Sequence, residues 1–195
     1  ILRRSLRNAD LLIANSTHTA EQIRTLSGCD SIVLPFGTTV TASEPSTRVR
    51  NVPRILFTGR LIPRKGVEFL LRALPNVLQN HTADIVICGD GPLRPELEQL
   101  SRSLGLNGSV AFLGFVSNEE LDREYANCDV WVNPAIVDDR GDTEGLGVGA
   151  IEAYAHRKPV ISSAVGGIPD AVVHGRTGLL VPEKDERALA AAILD

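Results

Sequence analysis

The chain of 195 residues contains no methionine, three cysteines, four histidines, one tryptophan and only 4% aromatic residues. The absence of Met, including at position 1, marks the sequence as an expected fragment of a longer product. Cys29, Cys88 and Cys128 are odd in number, far apart and without metal-ligand spacing, so reduced thiols in a reducing, cytoplasmic compartment are expected. Cys88 sits inside Asp84-Ile85-Val86-Ile87-Cys88 and reads as a buried strand residue. No apolar run approaches the roughly 18 residues that span a bilayer, and the N-terminus has no secretory pattern. A net charge of −4 and a pI near 5.6 argue against a nucleic-acid surface or a polybasic membrane surface. The histidines form no metal motif, and His18, His81, His156 and His174 are all expected in solvated positions.

What is present is a regular alternation. Short β-branched runs at 11–14, 31–34, 54–58, 84–88, 110–113, 130–133, 160–162 and 178–181 alternate with helical patterns. The helical stretches are 16–26, 66–79, 92–104, 118–126, 147–156, 168–173 and 185–194. Such alternation predicts an α/β fold with a doubly wound, Rossmann-like parallel sheet and helices on both faces. Residues 38–53 are polar, contain proline and lack periodicity, which predicts a linker. Residues 1–37 then read as the tail of a preceding domain, and 54–195 as the main domain.

In this architecture ligands lie beyond the carboxyl ends of the strands. Four segments occupy that place. Gly59-Arg60-Leu61-Ile62-Pro63-Arg64-Lys65-Gly66 carries three cations in six residues; a solvated basic loop is the bland account, but its position after a strand favours a diphosphate site. Gly89-Asp90-Gly91-Pro92 is a turn leading into a helix and lacks the last glycine of a dinucleotide fingerprint, since Arg94 stands there. Phe115 and Val116 end another strand where a flat base could lie, and Ser117 with Glu120 equally forms a helix cap.

The fourth segment, Glu144-Gly145-Leu146-Gly147-Val148-Gly149-Ala150-Ile151-Glu152, brackets a glycine-rich turn into a helix with two carboxylates. Free N–H groups and the helix dipole at such a tip favour an anion, and flanking acceptor-only carboxylates suit hydroxyls. Together they suit a nucleotide sugar. Asp138, Asp139 and Asp142 around Arg140 read as a mobile solvated loop, with a cation site as the lesser alternative.

These segments, with Lys158-Pro159-Val160, Gly166-Gly167-Ile168-Pro169 and Thr177-Gly178-Leu179-Leu180-Val181, resemble the C-terminal donor domain of family 4 (group 1) retaining glycosyltransferases of GT-B architecture. Ala9-Asp10-Leu11-Leu12-Ile13-Ala14-Asn15-Ser16 and Leu34-Pro35-Phe36-Gly37 resemble the end of that family's acceptor domain. The resemblance implies that Arg60 and Lys65 hold the donor diphosphate, with no metal and no cofactor beyond a UDP- or GDP-linked sugar. Glu144, also assigned to catalysis, would bind sugar hydroxyls with the amides of Gly145, Leu146, Gly147 and Val148, while Glu152 takes the ribose. Gly59, Gly89, Gly91 and Val116 complete the expected donor site. The rest of the acceptor domain would be the missing partner, and membrane contact at the inner face would run only through it. A nucleotide-sugar epimerase and a non-catalytic binding module are the alternatives. Two departures from the resemblance stand out: Arg157 replaces a glycine usual after the glutamate helix, so the left-handed cap is expected to be either lost or strained, and Asp170 replaces a longer Glu and shortens its reach.

Overall fold

A computed structural model of the chain describes residues 2–38, 52–79 and 81–195. The first segment holds α1 (Leu2–Arg7), β1 (Ile13–Ala14), α2 (Thr17–Ser27) and β2 (Ile32–Val33). β1 and β2 pair in parallel through Ile13 and Ile32. Ser16 caps α2 by accepting from the Thr19 amide, and Gly28 closes it at a φ of 76°, so both ends are satisfied locally. The strands are two residues each, shorter than the expected 11–14 and 31–34. Among the described residues each of the two strands has only the other as a neighbour. The helix α1 has no counterpart in the sequence reading. Most of the expected linker, 39–51, lies outside the described residues.

The second segment is the expected doubly wound unit. Its elements are β3 (Arg54–Thr58), a 3-10 turn (Pro63–Lys65), α3 (Val67–Leu78), β4 (Asp84–Cys88), α4 (Arg94–Ser103), β5 (Val110–Gly114) and α5 (Asn118–Asn127). The chain continues through β6 (Val130–Asn133), α6 (Val148–Ala155), β7 (Val160–Ser163), α7 (Ile168–Ala171), β8 (Leu179–Val181) and α8 (Glu186–Leu194). All six strands are parallel, in the order β5-β4-β3-β6-β7-β8.

Alternation along the strands feeds two cores. Ile55, Phe57, Ile85 and Ile87 face one layer with Leu70, Leu71 and Leu74 of α3 and Leu189 of α8. Leu56, Val86 and Trp131 face the other with Tyr125 of α5 and Ala150 and Ala153 of α6. Because both faces are covered, the strands read as unbroken apolar runs rather than as alternating ones. From β3 the chain winds outward through β4 and β5, then returns to place β6 on β3's other side. The crevice between β3 and β6 is therefore where loops part above the sheet. α7 stops at Ala171, two residues short of expectation, because Val172 is already extended at φ −118°.

His156 corrects one expectation. It is 6% exposed rather than solvated, and its ring stacks on Tyr125 with centroids 5.0 Å apart.

Candidate functional site

The loop after β3 is fastened to the loop after β4 by main-chain contacts. Gly59 N donates to Cys88 O at 2.9 Å, Leu61 N to Asp90 O at 2.9 Å, and Leu93 N to Leu61 O at 3.1 Å. A Cβ on Gly89 would lie 1.9 Å from the Gly59 carbonyl oxygen, and one on Gly91 would lie 2.4 Å from that of Leu61. Backbone contact thus accounts for Gly89 and Gly91 without a ligand, and both set the shape of the Arg60 loop. Leu61 anchors that loop in the core at 0% exposure. Arg60 is exposed; its carbonyl accepts from the Ile62 amide at 3.0 Å, and its side chain has no partner among the described residues.

Four residues on, the 3-10 turn redirects the chain. Gly66 adopts a left-handed φ of 61° and presses against β6's continuation, where a Cβ would meet the Pro134 carbonyl oxygen at 2.0 Å. That contact carries Arg64 and Lys65 across the crevice. The stem of Lys65 lies over Gly59, whose hypothetical Cβ would sit 3.3 Å from Lys65 Cε.

Lys65, expected to hold a diphosphate, lies directly against one of the two carboxylates: its Nζ is 3.0 Å from Glu144 Oε1. Arg64 meets the same oxygen and also pairs with Asp142 at 3.3 Å. Glu144 is only 6% exposed, so its charge is neutralised in place by two cations rather than by water. The acidic loop has internal order as well: Asp138 Oδ1 accepts the amides of Arg140 at 2.9 Å and Asp142 at 3.0 Å.

Beyond Glu144 the chain turns into α6 through Gly147 at φ 81°. The amides of Gly145, Leu146, Gly147, Val148 and Gly149 have no acceptor among the described residues. Unused donors at a helix start favour an anion. Leu146 itself is buried at 2%, so only its backbone is available there. Gly149 lets α6 lie on β6, since a Cβ would approach Trp131 Cζ2 to 2.4 Å.

Glu152, in the second turn of α6, is held by a residue that motif reading did not single out. Tyr125 donates to Glu152 Oε2 at 2.9 Å, and its hydroxyl is 2.8 Å from Thr58 Oγ1, which accepts from Trp131 Nε1 at 2.9 Å. Burial first, then the Glu152 charge, pushes the phenol's pKa well above its ordinary value. Tyr125 therefore stays a donor, and the single proton it gives to Glu152 leaves Thr58 to donate to the phenol oxygen. The sequence signal was weak: one Tyr near the end of an otherwise polar helix.

Phe115 is 90% exposed at the end of β5, and Val116 packs partly against the second core. Ser117 and Glu120 form the full capping box of α5. Asp170, which stands where the resemblance has a longer Glu, accepts from the Thr17 hydroxyl at 2.7 Å and from the Thr17 amide. Arg157 keeps the left-handed conformation at φ 58° despite its side chain.

The sequence model of the family "Glycosyl transferases group 1" matches residues 52–195. An uncharacterised glycosyltransferase of Methanocaldococcus jannaschii is 40% identical over 136 residues, covering 70% of this chain and 33% of the relative. A GDP-mannose-dependent alpha-(1-6)-phosphatidylinositol monomannoside mannosyltransferase of Mycolicibacterium smegmatis is 33% identical over 209 residues, covering 100% of this chain and 54% of the relative. Sucrose-phosphate synthase from Thermosynechococcus elongatus superposes with a TM-score of 0.86 at 32% identity, over 99% of this chain and 50% of its own. Anabaena HepE, solved with UDP and glucose, superposes with a TM-score of 0.84 at 26% identity, over 98% of this chain and 56% of its own. The chain thus spans a third to about half the length of the relatives it matches. The family match over residues 52–195 and the parallel α/β sheet shared with these structures show that the chain belongs to the group 1 glycosyl transferases.

Proposed function

We propose that the chain is the donor-binding half of a retaining, metal-independent glycosyltransferase that takes its sugar from a nucleoside-diphosphate sugar. The observation that carries this reading is the row of unused amides from Gly145 to Gly149, placed beside Lys65 and between two carboxylates at the reversal of strand order. The diphosphate would lie at that helix tip, with Lys65 and the exposed Arg60 supplying positive charge. Such charge stabilises a leaving diphosphate electrostatically, the role a metal plays elsewhere. Glu144 would accept sugar hydroxyls, and Glu152, oriented by Tyr125, those of the ribose. Phe115 and Val116 would face the base. Transfer with retention follows if the departing phosphate takes the acceptor's proton on the face that it leaves.

Residues 1–37 would belong to the acceptor domain and 38–53 to the linker. Among the described residues no helix is long and apolar enough to cross a membrane. The relatives' names support the donor class: one is described as GDP-mannose-dependent, and HepE was solved with UDP and with UDP-glucose.

Because the chain spans about half of its relatives, binding is the test. Calorimetry against UDP, GDP and ADP should show at least one of them binding below millimolar concentration. Silence from all three would overturn the reading. Lys65→Ala should weaken the nucleoside diphosphate about tenfold or more, as expected for a lost charge-assisted contact, while leaving the nucleoside nearly unaffected.

A further inference from the structure

Two cations on one carboxylate oxygen exceed what neutralising Glu144 requires. They are not equivalent. Arg64 is fastened to the loop that carries Glu144: beyond the shared oxygen it pairs with Asp142 Oδ2 at 3.3 Å and reaches the Thr143 carbonyl at 3.4 Å. Its own carbonyl accepts from the Ile136 amide at 2.9 Å. Lys65 has Glu144 as its one acidic partner among the described residues, and its four-carbon stem lies over Gly59 beside the exposed Arg60 turn. A four-carbon stem with rotatable torsions, passing a backbone that has no Cβ at Gly59, lets an ammonium pivot, whereas a planar fork held at three points does not.

We propose that Arg64 is a positioning residue whose task is to free Lys65 for the donor diphosphate, by remaining as the counter-ion of buried Glu144 when Lys65 turns away. This rests on the reading that Lys65 meets the diphosphate. The physical ground is the cost of stranding a buried carboxylate. Without Arg64, moving Lys65 to a phosphate would leave Glu144 unpaired at 6% exposure, and the lysine would stay where it is. With Arg64 present the exchange leaves no unpaired charge. Both cations contact Oε1, and Oε2 has no partner among the described residues, so the second oxygen is open to a sugar hydroxyl throughout. Arg64 then acts on affinity through Lys65, without touching the ligand.

The test is calorimetry on the full chain with the tighter of UDP and GDP, and with the matching nucleoside. Arg64→Gln should weaken the diphosphate by about as much as Lys65→Ala does, tenfold or more, with little change for the nucleoside. Adding Glu144→Gln to Arg64→Gln removes the carboxylate that traps the lysine, and affinity should return to within about threefold of the unaltered chain. A residue that merely supports the loop, or one that touches the phosphate itself, predicts no such rescue, and its absence overturns the proposal. Glu144→Gln alone keeps the test alive if Arg64→Gln does not fold: a nucleoside diphosphate, which carries no sugar for Glu144 to hold, should bind more tightly because Lys65 no longer leaves a carboxylate to reach it, and a tenfold loss overturns the exchange. If Lys65→Ala fails to separate diphosphate from nucleoside in the otherwise unaltered chain, it is the donor-site reading that falls, not the role of Arg64.

Discussion

Arg157 shows how a single residue carries both a cost and a constraint. It follows α6 at φ 58°, in a region that L-residues enter at a cost of about 1–2 kcal/mol, because the fold needs a reversal there to deliver the chain to β7. Arg157→Gly should relieve that strain, and the greater freedom of glycine in the unfolded chain should return about 0.4–1 kcal/mol of the gain. The expected net is a stabilisation of about 0.5–1 kcal/mol, read as a rise of about 1–4 °C in thermal denaturation. A lower melting temperature would mean that the arginine side chain contributes more than its backbone costs. The resemblance marked this position but left open whether the left-handed cap was lost or kept under strain; the structure keeps it. The pairing of Glu144 was not legible in the sequence, which does not say which of Arg60, Arg64 and Lys65 meets a carboxylate; the 3-10 turn with Gly66 decides that the latter two do.

Among the elements, the six strands of the main sheet were readable because each is covered on both faces and so is apolar almost throughout. β1 and β2 were over-extended in the reading, since pairing length depends on a neighbour that composition does not reveal. Burial has a measurable consequence in two of these elements. Cys88, at the end of β4, and Cys128, at the end of α5, have thiol pKa values pushed up to about 12 from an ordinary 9.0, chiefly by burial. A thiol that ionises more readily unfolded than folded favours the unfolded chain as pH rises, so this contribution to stability is intact below pH 9.0 and is lost progressively toward about 12. In a thiol titration of the native protein at mildly alkaline pH, Cys29, which is only partly buried, should react first. Cys88 and Cys128 should react only on unfolding, and rapid labelling of all three would show that these elements open readily.

For the whole molecule, the joint between the two sheets is the telling feature. Residues of the first segment press directly on the glycine-rich loop: Asn15 lies against Gly145, Ser16 against Gly167, and Thr17 bonds Asp170. Gly167 has an ordinary φ of −90°, so its lack of a side chain serves packing alone. A Cβ there would stand 1.9 Å from the Gly145 carbonyl oxygen and 2.5 Å from Ser16 Oγ. Gly167→Ala should therefore destabilise the protein by about 1–3 kcal/mol through overpacking. It should also weaken nucleoside diphosphate binding, because the displaced loop carries the free amides. Thermal denaturation and calorimetry on the same variant check both effects, and unchanged binding in a destabilised protein would show that the joint and the site are independent.

The sequence alone determined the parallel α/β architecture, the strand-end loops that hold the candidate site, and the family. Each of these depends on local periodicity, turn residues and motif order, all of which are written along the chain. Only the tertiary structure decided that Gly89 and Gly91 serve contacts between neighbouring loops, that Tyr125 orients Glu152, that His156 is buried, and that Arg64 shares Glu144 with Lys65. The reason is distance in sequence: the Arg64 and Glu144 side chains meet across 80 residues, and only the return of β6 to the side of β3 brings them together.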